Sequence, residues 1–356
     1  MKVSTIALVA VATASGGALG FEKYLLAGSS VTGSTSFVSY IISQPAQGQS
    51  ANVCTGAFIS PTVLITSAKC VTDSLSNKAL ANASVLVGQG NPSDALKNIT
   101  TNGVVDVSKV AGSGYVNPQS IFSHPGYNSI AFTDNIAVLV LAQPMAGATS
   151  AKLISKPSAT AGAGYTALGL SPSASSSTSA LQQLSLKVGN NATCSDIWAP
   201  YAKLTNSLCL TPVKASSNVC GADALLVKTA ADKSVGLAGL LNIVAAKNDV
   251  PTSNCGSDGA ADYFTTFSNY VAWLTQITPL TENDFLSSAT YDYSSPGSSG
   301  QESSSSSQPS SQTSSDSDSS ANKSSVESSH SNSAGGLSAV GSLAMLAASA
   351  LVVSMF

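Results

Sequence analysis

The chain is 356 residues long, carries a formal net charge of −3 and contains no arginine. Charged residues make up only 9% of it, so no basic face exists to neutralise a phosphate backbone, and nucleic-acid binding is excluded.

Met1 to Gly20 has one early charge, Lys2, then an apolar run from Ile6 to Ala14, and it ends in Ala18-Leu19-Gly20. That is the pattern of a cleaved secretory leader, and it leaves residues 21–24 as a short pro-segment. From Leu25 to Ile277 the dominant signal is short apolar runs between Gly, Pro, Asn and Ser, among them SFVSYIIS, TVLITS, NIAVLVLA, LSLKVG, ALLVK and VGLAGLLNIV. This rhythm predicts an all-β sandwich or barrel. Helical spacing is confined to SNYVAWLTQI, Ser268 to Ile277, with Ser268 placed to cap it.

Residues 278–333 read as a stalk. Ser287 to Ser333 is dominated by serine with almost nothing to bury, so ordering it has no apolar gain to set against the entropy cost. Residues 334–356 are small and then apolar, the pattern of a GPI-attachment signal, with Asn332 and Ser333 as candidate attachment sites. The alternative is a retained transmembrane tail, against which stands the lack of a flanking basic residue. Sequons at Asn82, Asn98, Asn191 and Asn322 fit the same route. The chain is therefore expected outside the cell, tethered to its surface by a lipid. Six cysteines, at 54, 70, 194, 209, 220 and 255, predict three disulfides in an exported chain and leave fifteen connectivities open. No CxxC or HxxxH spacing marks a metal site, and no cofactor is expected.

Six stretches, in order, resemble the trypsin/chymotrypsin-like serine proteases. CTGAFISPTVLITSAKC (Cys54–Cys70) resembles the segment ending in the catalytic His-Cys. IFSHPGYN (Ile121–Asn128) resembles a surface turn, and TDNIAVLVL (Thr133–Leu141) the segment carrying the triad aspartate. LQQLSLKVGNNATC opens the second half, NVCGADALLV (Asn218–Val227) falls on the nucleophile loop, and YFTTFSNYVAWL (Tyr263–Leu274) matches the last strand and helix. The text is also similar to secreted oomycete trypsin-like proteins and to their inactive relatives, the glucanase inhibitor proteins. The resemblance implies a double six-stranded β-barrel over residues 25–277 with a short C-terminal helix. It also implies the pairings Cys54–Cys70, Cys194–Cys209 and Cys220–Cys255.

That family's chemistry needs a serine to attack, a histidine to take its proton and a carboxylate to orient the histidine. Carried over, the three positions hold Lys69, Asn135 and Ala224. Asp134 is one residue early and points elsewhere along an extended segment. On the oxyanion loop stand Ala222 and Asp223, and about two residues that normally follow the nucleophile are missing. Asn218 takes the floor of the specificity pocket. The family uses a carboxylate at the Asp223 position to bind the amino terminus released by maturation. Here Leu25-Leu26-Ala27-Gly28 matches the family's first residues loosely, and Lys23 is one residue off for a tryptic cut. A Ser–Lys dyad needs a serine beside Lys69, and only Ser67 is near in sequence. Of the two histidines, His330 lies in the stalk and His124 in the turn.

The reading that follows is an inactive protease homologue that binds a protein ligand. By resemblance, a secreted host hydrolase such as a glucanase is one target. The alternatives are an endopeptidase with an unrecognised nucleophile and a structural surface glycoprotein.

Overall fold

The structure is a computed structural model that describes residues 24–294, apart from 27, 32–33, 46–50, 74, 91–99, 102–103, 106–113, 173–178, 215–216, 221–222, 249 and 251–258. They all belong to one compact unit, Met1–Gln301; a second unit, Glu302–Phe356, is not described. The leader, the tail, Ala222, Cys255, Asn332, Ser333 and the sequons at Asn98 and Asn322 therefore lie outside the described residues, as do the side chains of Asn218 and Cys220.

Two short strands lead in, β1 (Tyr24–Leu26) and β2 (Ser29–Ser30). The first half then builds β3 (Val38–Ser43), β4 (Asn52–Ser60), β5 (Val63–Thr66), the four-residue helix α1 (Ala68–Val71) and β6 (Val85–Gly88). A separate small hairpin, β7 (Thr100–Thr101) with β8 (Val104–Val105), precedes β9 (Tyr115–Val116), β10 (Ser120–Ser123) and β11 (Ala137–Val140). Seven strands pair in the order β10-β11-β5-β4-β3-β6-β9. Among the described residues this sheet forms a half-barrel, the first part of the expected double-barrel architecture. Its edge strand β9 is two residues long and pairs only with Val87 and Gly88.

The second half contains β12 (Lys152–Leu153), β13 (Gly164–Pro172), β14 (Ser179–Val188), the helix α2 (Asn191–Ile197), β15 (Ser207–Pro212), β16 (Asn218–Cys220), β17 (Leu225–Thr229), β18 (Val235–Ala245) and β19 (Ala261–Thr266). Here the ring does close: β13-β14-β15-β19-β18-β17 and back to β13. The eleven-residue β18 serves both neighbours, pairing with β17 over Val235–Leu240 and with β19 over Gly239–Ala245 around a bulge between Leu241 and Ile243, and the two pairings overlap at a corner formed by Gly239 and Leu240. At that corner the strands come very close. A Cβ on Gly239 would sit 2.5 Å from the Thr265 carbonyl oxygen. Backbone cannot retreat as a side chain can, so Gly239→Ala is expected to cost about 1–3 kcal/mol. An unchanged urea midpoint would refute this.

The uninterrupted apolar runs have a simple cause. Alternate residues of a strand face opposite sides, and here both sides are buried. In β5, Val63 and Ile65 enter the seam between the halves, while Leu64 enters the first half's own core. In β17, Leu225 and Val227 enter the seam and Leu226 the interior of the closed barrel. The disulfides Cys54–Cys70 and Cys194–Cys209 are both present. Asn82 and Asn191 are both exposed, at the starts of a 3-10 turn and of α2.

The chain end corrects two expectations. The segment Ser268–Ile277 is not one helix capped by Ser268. A 3-10 turn, Phe267–Tyr270, comes first, followed by α3 (Val271–Ile277). Phe267 and Tyr270 are both buried, and three residues per turn stacks side chains three apart on one side. Nor does the packed chain stop at 277. The four-residue helix α4 (Glu282–Phe285) follows, closed by a capping box between Thr281 and Asp284. Phe285 is wholly buried in the seam, and the Ser287 amide donates to the Leu153 carbonyl at 2.8 Å. Tyr291 and Tyr293 pack on the closed barrel, and the Gly164 amide donates to the Tyr293 carbonyl at 3.0 Å. The described part of the expected stalk, 278–294, is thus folded against the domain.

Candidate functional site

Helix α1 is too short to hold itself, and the Cys54–Cys70 bond ties it to β4. Ser67 stands at its N-cap without a side-chain capping bond; the hydroxyl donates instead to Asp223 Oδ1 at 3.0 Å and lies 3.0 Å from Cys70 Sγ. Lys69 Nζ lies 2.7 Å from the same oxygen. Asp223 itself is 1% exposed and Lys69 30%. The second carboxylate oxygen is 2.7 Å from Cys70 Sγ. A disulfide sulfur has no proton to give, so this is a close sulfur–oxygen contact and not a hydrogen bond. Asp223 comes from the second half, and Ser67 and Lys69 from the first. The cluster therefore spans the seam.

Asn135 spans it as well. Its Oδ1 accepts from the Lys69 backbone amide at 3.0 Å, and its Nδ2 donates to the Leu241 carbonyl at 3.3 Å. The residue is buried. A carboxylate in this place would keep the first bond but turn an oxygen toward the Leu241 carbonyl. The amide is thus the side chain that fits. Asp134 does point elsewhere, from a left-handed backbone (φ +49°), and takes the Tyr270 hydroxyl at 2.8 Å and the Asn206 amide at 3.0 Å.

Ala224 is wholly buried and belongs to the interior of the closed barrel, with Leu25. Its carbonyl accepts from the Leu241 amide at 2.8 Å, and its methyl is 3.4 Å from where a Cβ on Gly169 would lie. A hydroxyl there would face apolar side chains, not a substrate. His124 is a turn residue. Its ring stands edge-on to Tyr270 and Trp273, at 5.0 Å from each, and Nδ1 accepts from the Gly126 amide. Burial pulls its pKa down, and the Asp134 charge opposes that.

Among the described residues these positions form no nucleophile–base pair. Ser67 is wholly buried, and the carboxylate it touches is already ion-paired. The Cys54, Cys70 and Asp223 ligand atoms lie within 4.8 Å of one another, yet both sulfurs are spent in the disulfide, which leaves no thiolate for a metal. Burial pushes the Tyr127 hydroxyl up, and the Asp223 charge adds to that against a hydrogen bond from Thr72.

Two features escape a reading of the sequence. One is Asp262, on β19 opposite Leu210 and Val244. It is wholly buried, and neither oxygen has a hydrogen-bond partner among the described residues. Burial pushes its carboxyl up to about 8, against a lowering by the Val219 amide that does not reach hydrogen-bond geometry. The other is a pair of exposed aliphatics, Leu75 at 93% and Ile130 at 87%. Their loops adjoin, since the Ser129 amide donates to Asn77 Oδ1 at 3.3 Å. Each loop is braced by an Asx turn: Asp73 Oδ1 accepts the Leu75 and Ser76 amides, and Asn128 Oδ1 the Ile130 and Ala131 amides. A groove of about 550 Å³ lies elsewhere, lined by Ser34, Phe37, Thr149, Lys152, Lys233 and Val235 among others. It includes none of Lys69, Asn135, Asp223 or Ala224.

Comparison with solved structures finds the scabies mite inactivated protease paralogue S-I1, at 18% identity and a TM-score of 0.49, covering 70% of this chain and 97% of that one. No match is found among curated protein sequences. Residues 34–274 match the family model Trypsin. That span is well over half of the chain, and it runs across both halves and the seam between them: the chain belongs to the trypsin family.

Proposed function

We propose that this domain is a non-catalytic member of its family that binds a protein partner from the cell surface, held there by the lipid anchor that the tail encodes. One observation carries the reading. The positions where the resemblance places a triad are occupied by a cluster that satisfies itself. Lys69 neutralises Asp223, Asn135 joins α1 to β18, and Ala224 is sealed inside a barrel. Catalysis needs a nucleophile and base that a substrate reaches. The rigid scaffold keeps its loops, and braced loops carrying exposed aliphatic tips suit recognition. A secreted hydrolase of a host is one partner consistent with this reading.

The triple variant Lys69→His, Asn135→Asp, Ala224→Ser is expected to stay at background on peptide substrates and to resist a serine-directed phosphonate. A serine at 224 has no path to solvent. The wild type is expected to stay unlabelled too. Labelling of either protein, confirmed by mass of the modified peptide, would return the chain to the endopeptidases. A folded, unlabelled wild type that shows saturable binding to a purified secreted protein, weakened by Leu75→Asp with Ile130→Asp, supports the binding reading over a purely structural head.

A further inference from the structure

The buried carboxylate of Asp223 needs a cation. Unpaired, a charge with 1% exposure costs several kcal/mol to hold. Its cation comes from inside the chain, from Lys69 on α1, at 2.7 Å. The Ser67 hydroxyl takes the remaining approach to Oδ1, and the Cys70 sulfur closes on Oδ2. The leading segment, meanwhile, is built in as sheet. Tyr24, Leu25 and Leu26 pair with Cys220, Val219 and Asn218, and the Leu25 side chain is 2% exposed in the closed barrel. A strand at this place uses the backbone amides of Tyr24 to Leu26 and calls for no free amino group. The other buried acid among the described residues, Asp262, sits inside the second barrel opposite Val244 and Leu210 and is not part of the Asp223 cluster.

We infer that the domain is complete as a single uncut chain: Lys69 supplies the internal cation for Asp223, so that no proteolytic release of a new amino terminus is needed to finish the seam. The domain is then constitutively in its working form, and its regulation does not pass through a maturation cut. This goes beyond the binding reading and does not depend on it.

The test uses the full chain with four aspartates inserted between Glu22 and Lys23, so that enterokinase cuts after Lys23 and leaves Tyr24 first. Cut and uncut proteins are expected to melt at the same temperature. Lys69→Met is expected to melt about 10 °C lower in both forms, because it strands a buried charge. Lys69→Met with Asp223→Asn is expected to recover most of that loss, which separates a charge effect from simple misfolding. A cut that raises the melting temperature of the unsubstituted protein, or rescues Lys69→Met, would show that a terminus completes the fold and would overturn the inference. So would a neutral Lys69→Met.

Discussion

A chain ended after Ile277 is expected to lose on the order of 3–5 kcal/mol of stability, most of it through Phe285. The ring is wholly buried in the seam cluster, where it shares space with Phe37, Ile59, Leu237 and Phe267 from both halves. Removing it opens a hole in the seam between the two halves, among residues that many other buried contacts hold in place. Truncation also frees the Leu153 carbonyl, which accepts from Ser287, and strips Tyr291 and Tyr293 from the closed barrel. Phe285→Ala in the whole chain should reproduce most of the loss. A chain ended after Ser294 should show none. Urea midpoints of the three proteins decide the matter, and equal midpoints for the 277 and 294 endings would sink it.

The second large effect concerns Asp262. Its carboxyl is raised from the ordinary value near 3.8 to about 8 by burial. The folded state therefore holds the proton more tightly than the unfolded chain does. The sign follows: this group's contribution to stability is fully present below pH 4, and it falls as pH rises toward 8, because the unfolded carboxyl has already ionised while the folded one must stay neutral. The slope is about 1.4 kcal/mol per pH unit, which sums to several kcal/mol across the window. Above pH 8 this group adds no further slope. Asp262→Asn keeps the shape and removes the titration. Its stability should lack this fall between pH 4 and 8 and exceed the wild type at pH 7. Denaturation curves for both proteins across pH 4 to 9 test this, and parallel pH profiles would rule it out.

Most strands were legible because the halves bury both faces of their sheets, which makes a strand an unbroken apolar run. TVLITS became β5, ALLVK became β17 and VGLAGLLNIV became β18. What stayed hidden depends on neighbours far off in sequence. Phe285 is one aromatic in a polar stretch, and only the seam between the two halves gives it a place. Its helix did carry a local mark, since Thr281 and Asp284 have capping-box spacing. The Ser-rich composition beyond it outweighed that mark. Lys69 and Asp223 each stood out alone, yet their pairing did not. The two lie 154 positions apart, and the carboxylate comes to lie against α1 only once the two halves pack together. Nothing near Asp262 in the sequence signals that its surroundings are apolar. That is decided by which way β19 faces once the barrel closes.

The short bridge between Leu153 and Leu286, with the tyrosine packing beyond it, also has a mechanical meaning. A pull along the chain beyond Ser294 enters the domain at Tyr293 and Tyr291, and it must unpick these contacts one after another before it reaches Phe285. The last of the described chain thus works as a strain relief, yielding in small steps at the edge before the seam itself is disturbed.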